Sequence, residues 1–251
     1  MLLSINKIFV IIFLVFFLLE AQVVNLSATT FQMGSNTGEP DERPVHNVNL
    51  SQFSIDIYEV TNAQYDSCIK AGRCSPAHYE DGKCFIWTSK GFTKIIIPIK
   101  YRHPDLPVTC VSWYQANQYC KYKGKRLPTE AQWEYAAGGG KDILYSWGND
   151  KPTSNNCGIS NDGPKKVGSF KPNSFGIYDM TGNVWEWVFD NYSADYYSVS
   201  EEKDPLGPRV GQYHVIRGGG WYSNYKQLRI RNRHWFDPNY GEASIGFRCA
   251  K

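Results

Sequence analysis

Twelve uninterrupted apolar residues, Ile8 to Leu19, stand behind Lys7 and are ended by Glu20 and Ala21. As a helix that run covers about 18 Å, well short of the ~30 Å hydrocarbon core that a membrane span must cross. It also lacks the polar positions of a helix packed in a globular core. The pattern predicts an export signal, residues 1–21, cut after Ala21, with an uncleaved anchor as the alternative. The folded domain is then expected over residues 27–251.

Beyond the signal the apolar runs are short. Strands are expected at Phe31–Met33, His46–Leu50 and Phe53–Tyr58. Three helices have readable starts. Thr61 caps the first, which runs to Ala71 and is stopped by Gly72. Ser112 with Gln115, and Thr129 with Gln132, spell reciprocal capping boxes for the second and third, ended by Gly124 and Gly138. From Gly138 onward no helical periodicity appears, only Gly, Asn, Trp and Tyr between brief apolar runs. This predicts an α+β fold: a few helices on small twisted antiparallel sheets, with much irregular backbone. Such backbone needs stapling, here by disulfides and bound cations.

Composition narrows the classes. The 251 residues suit one domain, and 15% aromatics with 22 Gly and 13 Pro describe a turn-rich compact chain. The net charge of +3 gives no nucleic-acid signature. The densest basic stretch, Arg229 to Arg233, alternates with period two and is expected as one strand face with each guanidinium paired locally. Seven cysteines on an exported chain imply disulfides, with one thiol left over. Cys68 and Cys74 flank the first helix end, where Gly72 turns the chain back, and form the expected local pair. Cys120 lies on a helix and Cys249 near the C-terminus, so a bond between them would staple the tail to the core. The pairing of Cys84, Cys110 and Cys157 stays open.

Gly182-Asn183-Val184-Trp185-Glu186-Trp187 puts an amide, a carboxylate and two indoles together, hard oxygen for a cation between apolar plates. About thirty residues later comes Arg217-Gly218-Gly219-Gly220-Trp221-Tyr222-Ser223, with Leu228 beyond it. Further islands accompany them: Phe31-Gln32-Met33-Gly34-Ser35, Tyr58-Glu59-Val60-Thr61-Asn62, Gly124 to Ala137, Trp147-Gly148-Asn149, Phe175 to Met180 and Gly246-Phe247-Arg248-Cys249. In this order the chain resembles the formylglycine-generating enzyme, or sulfatase-modifying factor, family. The resemblance implies a variant of the C-type lectin fold with bound calcium. Its founding activity converts a sulfatase cysteine to formylglycine.

The family's two copper-binding cysteines fall on Ser223 and Leu228. Copper(I) is soft and takes sulfur; a serine hydroxyl is a hard, weak ligand and leucine is none. The resemblance therefore implies that the catalytic pair is absent and that copper is not a cofactor. It also places Cys120 and Cys249 at the family's structural disulfide. A related branch, the ergothioneine-pathway sulfoxide synthases, holds iron with histidines. The five here, His46, His78, His103, His214 and His234, are scattered along the chain, and iron is not expected. For calcium, the resemblance implies Asn183, the Val184 carbonyl and Glu186 at one site. Asn156, the Cys157 carbonyl and Asp162 would make another.

The expected function is an exported, calcium-stabilised, non-catalytic binding or accessory module taking a peptide, protein or glycan. Tyr192 to Tyr197 and Trp221-Tyr222 would supply amphipathic contact area. The alternatives are a formylglycine-generating oxidase and a structural envelope component. No membrane contact is expected beyond an N-terminal anchor.

Overall fold

A computed structural model describes residues 22–160 and 162–251, so the apolar run and its cleavage site lie outside it. The first described strands are β1 (Val23–Leu26), β2 (Thr29–Met33), β3 (His46–Leu50) and β4 (Phe53–Asp56). β1 pairs with β4 from Val23↔Asp56 to Leu26↔Phe53, so the fold already includes residues before position 27. β2 pairs with β3, Thr29↔Leu50 to Met33↔His46.

Three helices follow where the caps predict them: α1 (Asn62–Lys70), α2 (Trp113–Tyr122) and α3 (Glu130–Gly138). Each begins with a reciprocal box. In α1 the Gln64 N–H donates to Thr61 Oγ1 at 3.3 Å while the Thr61 N–H donates to Gln64 Oε1 at 2.9 Å. Ser112 with Gln115 and Thr129 with Gln132 repeat it. Each cap contributes on the order of 1 kcal/mol by satisfying N–H groups that the helix cannot.

Between α1 and α2 a hairpin of β5 (Cys84–Thr88) and β6 (Gly91–Lys94) projects. After α3 the chain runs irregularly to β7 (Trp185–Asn191), β8 (His214–Arg217) and β9 (His234–Phe236). Two short strands end it, β10 (Gly241–Glu242) and β11 (Ile245–Gly246). β11, β7, β8 and β9 form one sheet in that order; β10, β5 and β6 form another. As expected, no α-helix follows Gly138 among the described residues. The strands there were not expected, because β7 is buried on nearly every residue and shows no in-out alternation.

One core packs α3 through Trp133, Ala136 and Ala137 against Met180, Val188, Val215 and Ile230. A second gathers Tyr65, Trp113, Tyr119, Trp187 and Phe247. Disulfides join Cys68 to Cys74, Cys120 to Cys249, and Cys84 to Cys110; Cys157 is free and buried. Arg229 to Arg233 is not a strand but a turn before β9, and the period-two reading fails there. Its pairing holds. Arg229 binds Glu42, Arg231 binds Asp142 at 2.8 Å, and Arg233 binds Glu130 at 2.8 Å. Among the described residues no helix is long and apolar enough to cross a membrane.

Candidate functional site

The site is set by buried charge beneath it. Arg217, at the end of β8, is wholly buried and donates to Glu130 and Glu134 on α3 and to the Ile230 carbonyl at 2.7 Å. That anchors the start of the triple-glycine turn. Gly218 has φ +97°, and a Cβ there would stand 2.8 Å from the Met180 carbonyl oxygen. A side chain on Gly220 would meet Ser244 at 2.6 Å. Only glycine lets this backbone pass. The turn then delivers Trp221, Tyr222 and Ser223 to one side of the sheet.

There a groove of about 540 Å³ opens. Trp87 and Phe92, cross-strand partners on the β5–β6 hairpin, make one wall with ring centroids 4.9 Å apart. Trp235 and Phe236 of β9 make the other, Phe236 lying 5.5 Å from Phe92. Trp185, Ile216 and Ile245 lie beneath, and Ser223, Asn224 and Gln227 add polar groups. Trp87 and Phe92 are 58% and 53% exposed, so the hairpin wall faces solvent. Glu242 is the acid of the lining, and no Lys or Arg shares it. Its Oε1 accepts from the Tyr222 hydroxyl, and its Oε2 accepts from the Ser244 N–H at 2.6 Å and the Ser244 hydroxyl at 2.7 Å. Burial raises its pKa above the usual glutamate value, opposed by those hydrogen bonds. Burial likewise lowers the His234 pKa.

A larger cleft of about 780 Å³ lies beside Gly34 to Glu39, but its Arg229 and Arg231 already pair with Glu42 and Asp142. Its lining is mostly polar, without the cluster of aromatic rings that borders the groove.

Ser223 sits on the groove, its Oγ accepting the Gly220 N–H at 3.0 Å. Leu228 does not. It is wholly buried, packed with Tyr145 and Cys157. Cys157 gives no substitute thiolate, because burial pushes its pKa up to about 11 and its Sγ donates to the Thr153 carbonyl at 3.5 Å. Of the contact aromatics read from sequence, Tyr222 lines the groove and the others do not. Tyr197 and Trp221 are buried, and Tyr192 and Tyr196 pack against the core. The exposed rings come from Trp87, Phe92 and Trp235 instead. Their signal was a turn, Thr88 to Gly91, bracketed by two aromatics.

Several of the groups named for calcium have hydrogen-bond partners within the protein. Asn183, at φ +63°, donates from Nδ2 to Glu59 at 2.7 Å and accepts the Lys165 N–H on Oδ1 at 2.8 Å. The Val184 N–H donates to Glu59 at 3.3 Å. Glu186 is taken by Arg248 at 2.6 and 2.7 Å and by Trp133 Nε1 at 2.9 Å. Asn156 closes a turn through the Thr153 N–H at 2.7 Å, and the Cys157 carbonyl accepts the Ile159 N–H at 2.9 Å. Asp162 is exposed, with its N–H on the Ser160 hydroxyl at 3.0 Å. Among the described residues no three His, Cys, Asp or Glu side chains are grouped to hold a metal.

Sequence reasoning missed two acids. Glu59 is buried, and its pKa stands well above the carboxylate range through burial, then the charges of Asp179 and Glu186. Asp179, at φ +57°, accepts the Gly168 N–H on Oδ2 at 2.6 Å while its buried Oδ1 has no partner among the described residues. Burial is the largest cause raising its pKa to about 6. Three buried carboxylates thus share one guanidinium, Arg248. The excess negative charge and the orphaned oxygen at Asp179 are of the kind that a hard cation or a proton relieves.

Comparison with known proteins follows this geometry. Residues 18–251 match the sulfatase-modifying factor enzyme 1-like domain. The chain is 39% identical over 240 residues to serine/threonine-protein kinase Pkn1 of Chlamydia trachomatis, covering 93% of this chain but only 38% of the kinase. The formylglycine-generating enzyme of Streptomyces coelicolor is 33% identical, with 90% of this chain and 88% of that one covered. The structure of PvdO from Pseudomonas aeruginosa superposes with a TM-score of 0.76 at 28% identity, covering 91% of this chain and 93% of PvdO.

Proposed function

The chain belongs to the sulfatase-modifying-factor family, with that family's α+β, C-type-lectin-like fold, and on this premise we propose that it is an exported binding or accessory module without oxidase chemistry. The observation that carries the proposal is Leu228. A copper(I) site needs soft ligands, and beyond the hard hydroxyl of Ser223 the second matching side chain is a hydrocarbon sealed in a core cluster with Tyr145. Ser223 cannot bind copper(I) alone, and the Cys157 thiol is protonated and enclosed.

What remains is a rigid groove. Its floor is fixed by the Arg217 anchor and the glycine turn, and its aromatic walls stand on two separate strand pairs. Concave, largely apolar space with a few converging polar groups suits a ligand rather than a packing defect. Three disulfides support export to an oxidising compartment. Calcium held at Asp179 would neutralise the acids around Arg248 and steady the irregular half; it supplies structure here, not chemistry. The chain spans 38% of the length of its chlamydial kinase relative, and kinase activity is no part of the proposal.

The test supplies copper(I), oxygen and a peptide carrying a Cys-x-Pro-x-Arg sulfatase segment to the purified protein, read by mass spectrometry. The peptide cysteine is expected to survive unchanged. Turnover to formylglycine would overturn the proposal.

A further inference from the structure

The geometry points to a small organic cation with a quaternary ammonium head as the ligand of the groove; this rests on the groove being the binding site. Two features of the lining argue together. Six aromatic side chains, Trp87, Phe92, Trp185, Tyr222, Trp235 and Phe236, border the space. Their planes differ: Trp87 meets Phe92 at 77° and Phe92 meets Phe236 at 53°. Rings turned to one another in this way can present several faces to one guest, as a cation needs.

The second feature is charge. Glu242 lies at the groove with hydroxyl and N–H donors on its carboxylate and no basic partner. Other buried acids, such as Glu130 and Glu186, have guanidiniums. His234, the base of the lining, is held toward its neutral form by burial. An anionic ligand would face this carboxylate with no Lys or Arg in the lining to receive it. A neutral apolar ligand would leave it unused. A quaternary ammonium satisfies both features, because it attracts the carboxylate and ring faces yet needs no hydrogen-bond acceptor. The volume, about 540 Å³, exceeds the head group alone and leaves room for the body of a small ligand.

The experiment titrates the full mature protein with choline and, separately, with its uncharged carbon isostere 3,3-dimethylbutanol, following tryptophan fluorescence. Choline is expected to bind about tenfold more tightly, the scale of one or two partly desolvated cation–π contacts. Trp87→Ala removes an exposed wall residue and should reduce that preference severalfold with the melting temperature unchanged. Glu242→Gln should reduce it further, with circular dichroism confirming the fold. Equal binding of the two probes would overturn the cationic ligand but keep the groove as a binding site. Binding of a trimethyl-lysine peptide without binding of choline would overturn the small-molecule assignment. No response to any probe would reject the inference, while the copper assay independently decides the non-oxidase reading.

Discussion

Glu186 and Arg248 meet in a two-pronged ion pair, Nη2 to Oε1 at 2.6 Å and Nε to Oε2 at 2.7 Å, with both side chains buried. Arg248 also donates to the Asp56, Ile57 and Tyr178 carbonyls at 3.1, 3.0 and 2.9 Å. One side chain therefore ties the end of β4, the turn before Asp179 and the central strand β7. This makes the carboxylate of the Trp-Glu-Trp element a brace in the described fold.

Arg248→Met should cost about 3–5 kcal/mol, because it takes the guanidinium away from a buried carboxylate and from the three carbonyls it bonds. Adding Glu186→Gln should recover part of that loss. Urea unfolding of the single and double variants checks both. A single-variant loss under about 1 kcal/mol would show that water replaces the guanidinium, and the brace would be an overstatement.

The disulfides should differ in worth. Cys120–Cys249 spans 129 residues and Cys68–Cys74 spans 6. In the chain-entropy view these closures contribute about 5 and about 2 kcal/mol. Three of the four sulfurs are fully buried and the fourth, Cys74, is 8% exposed, so cavity costs should be similar. The Cys120→Ala/Cys249→Ala pair should therefore unfold at distinctly lower urea than Cys68→Ala/Cys74→Ala. The reverse order would mean that native-state strain, not loop closure, sets their worth.

The helices were legible because their starts are written in local chemistry: Thr61, Ser112 and Thr129 each bond a glutamine three residues on. Ser223 and Leu228 were easy to single out because they lie in or just beyond a strongly marked motif, but their different surroundings, the groove for one and a core cluster for the other, come only from the fold. The acid cluster was not. Glu59 and Asp179 come from distant segments, and only the tertiary fold puts them near Arg248. The Arg229 to Arg233 alternation misled because three separate acids, Glu42, Asp142 and Glu130, dictate those directions rather than a strand pleat. The groove aromatics were hidden for a related reason. Trp87 and Phe92 belong to one sheet and Trp235 to another, whereas the Tyr-rich run that looked like a contact surface turns into the core.

Asp179 should make stability fall as pH rises, contrary to the usual carboxylate. Its folded pKa, about 6, lies above the unfolded value, so the native state holds the proton more tightly between pH ~4 and 6. The folded state is favoured below that window and carries the full penalty above it, at most about 3 kcal/mol. Asp190, raised by burial to about 8, has the same sign, whereas Glu130 is lowered by Arg233 and Arg217 and opposes it. Asp179→Asn isolates the effect. In chelator, the variant should gain on the parent protein as pH climbs from 4 to 7. A difference independent of pH would mean that Asp179 titrates normally.

Calcium should reverse that loss. An ion on the unpartnered Asp179 oxygen binds only the folded chain, where Glu59 and Glu186 stand near it, and stabilises it by RT ln(1 + [L]/Kd). A hundredfold excess over Kd gives about 2.7 kcal/mol, or about 5–10 °C in melting temperature for a domain of this size. The response has a pH signature. It should be full at pH 7 and vanish below pH ~5, where Asp179 carries its proton. Asp179→Asn should remove it at every pH. Glu186→Gln should leave much of it, because Arg248, not the ion, holds that carboxylate. Thermal melts in calcium and in excess chelator, run on the three proteins, separate these outcomes. Superimposable melts at pH 7 would show that the acids around Arg248 are kept by protonation alone.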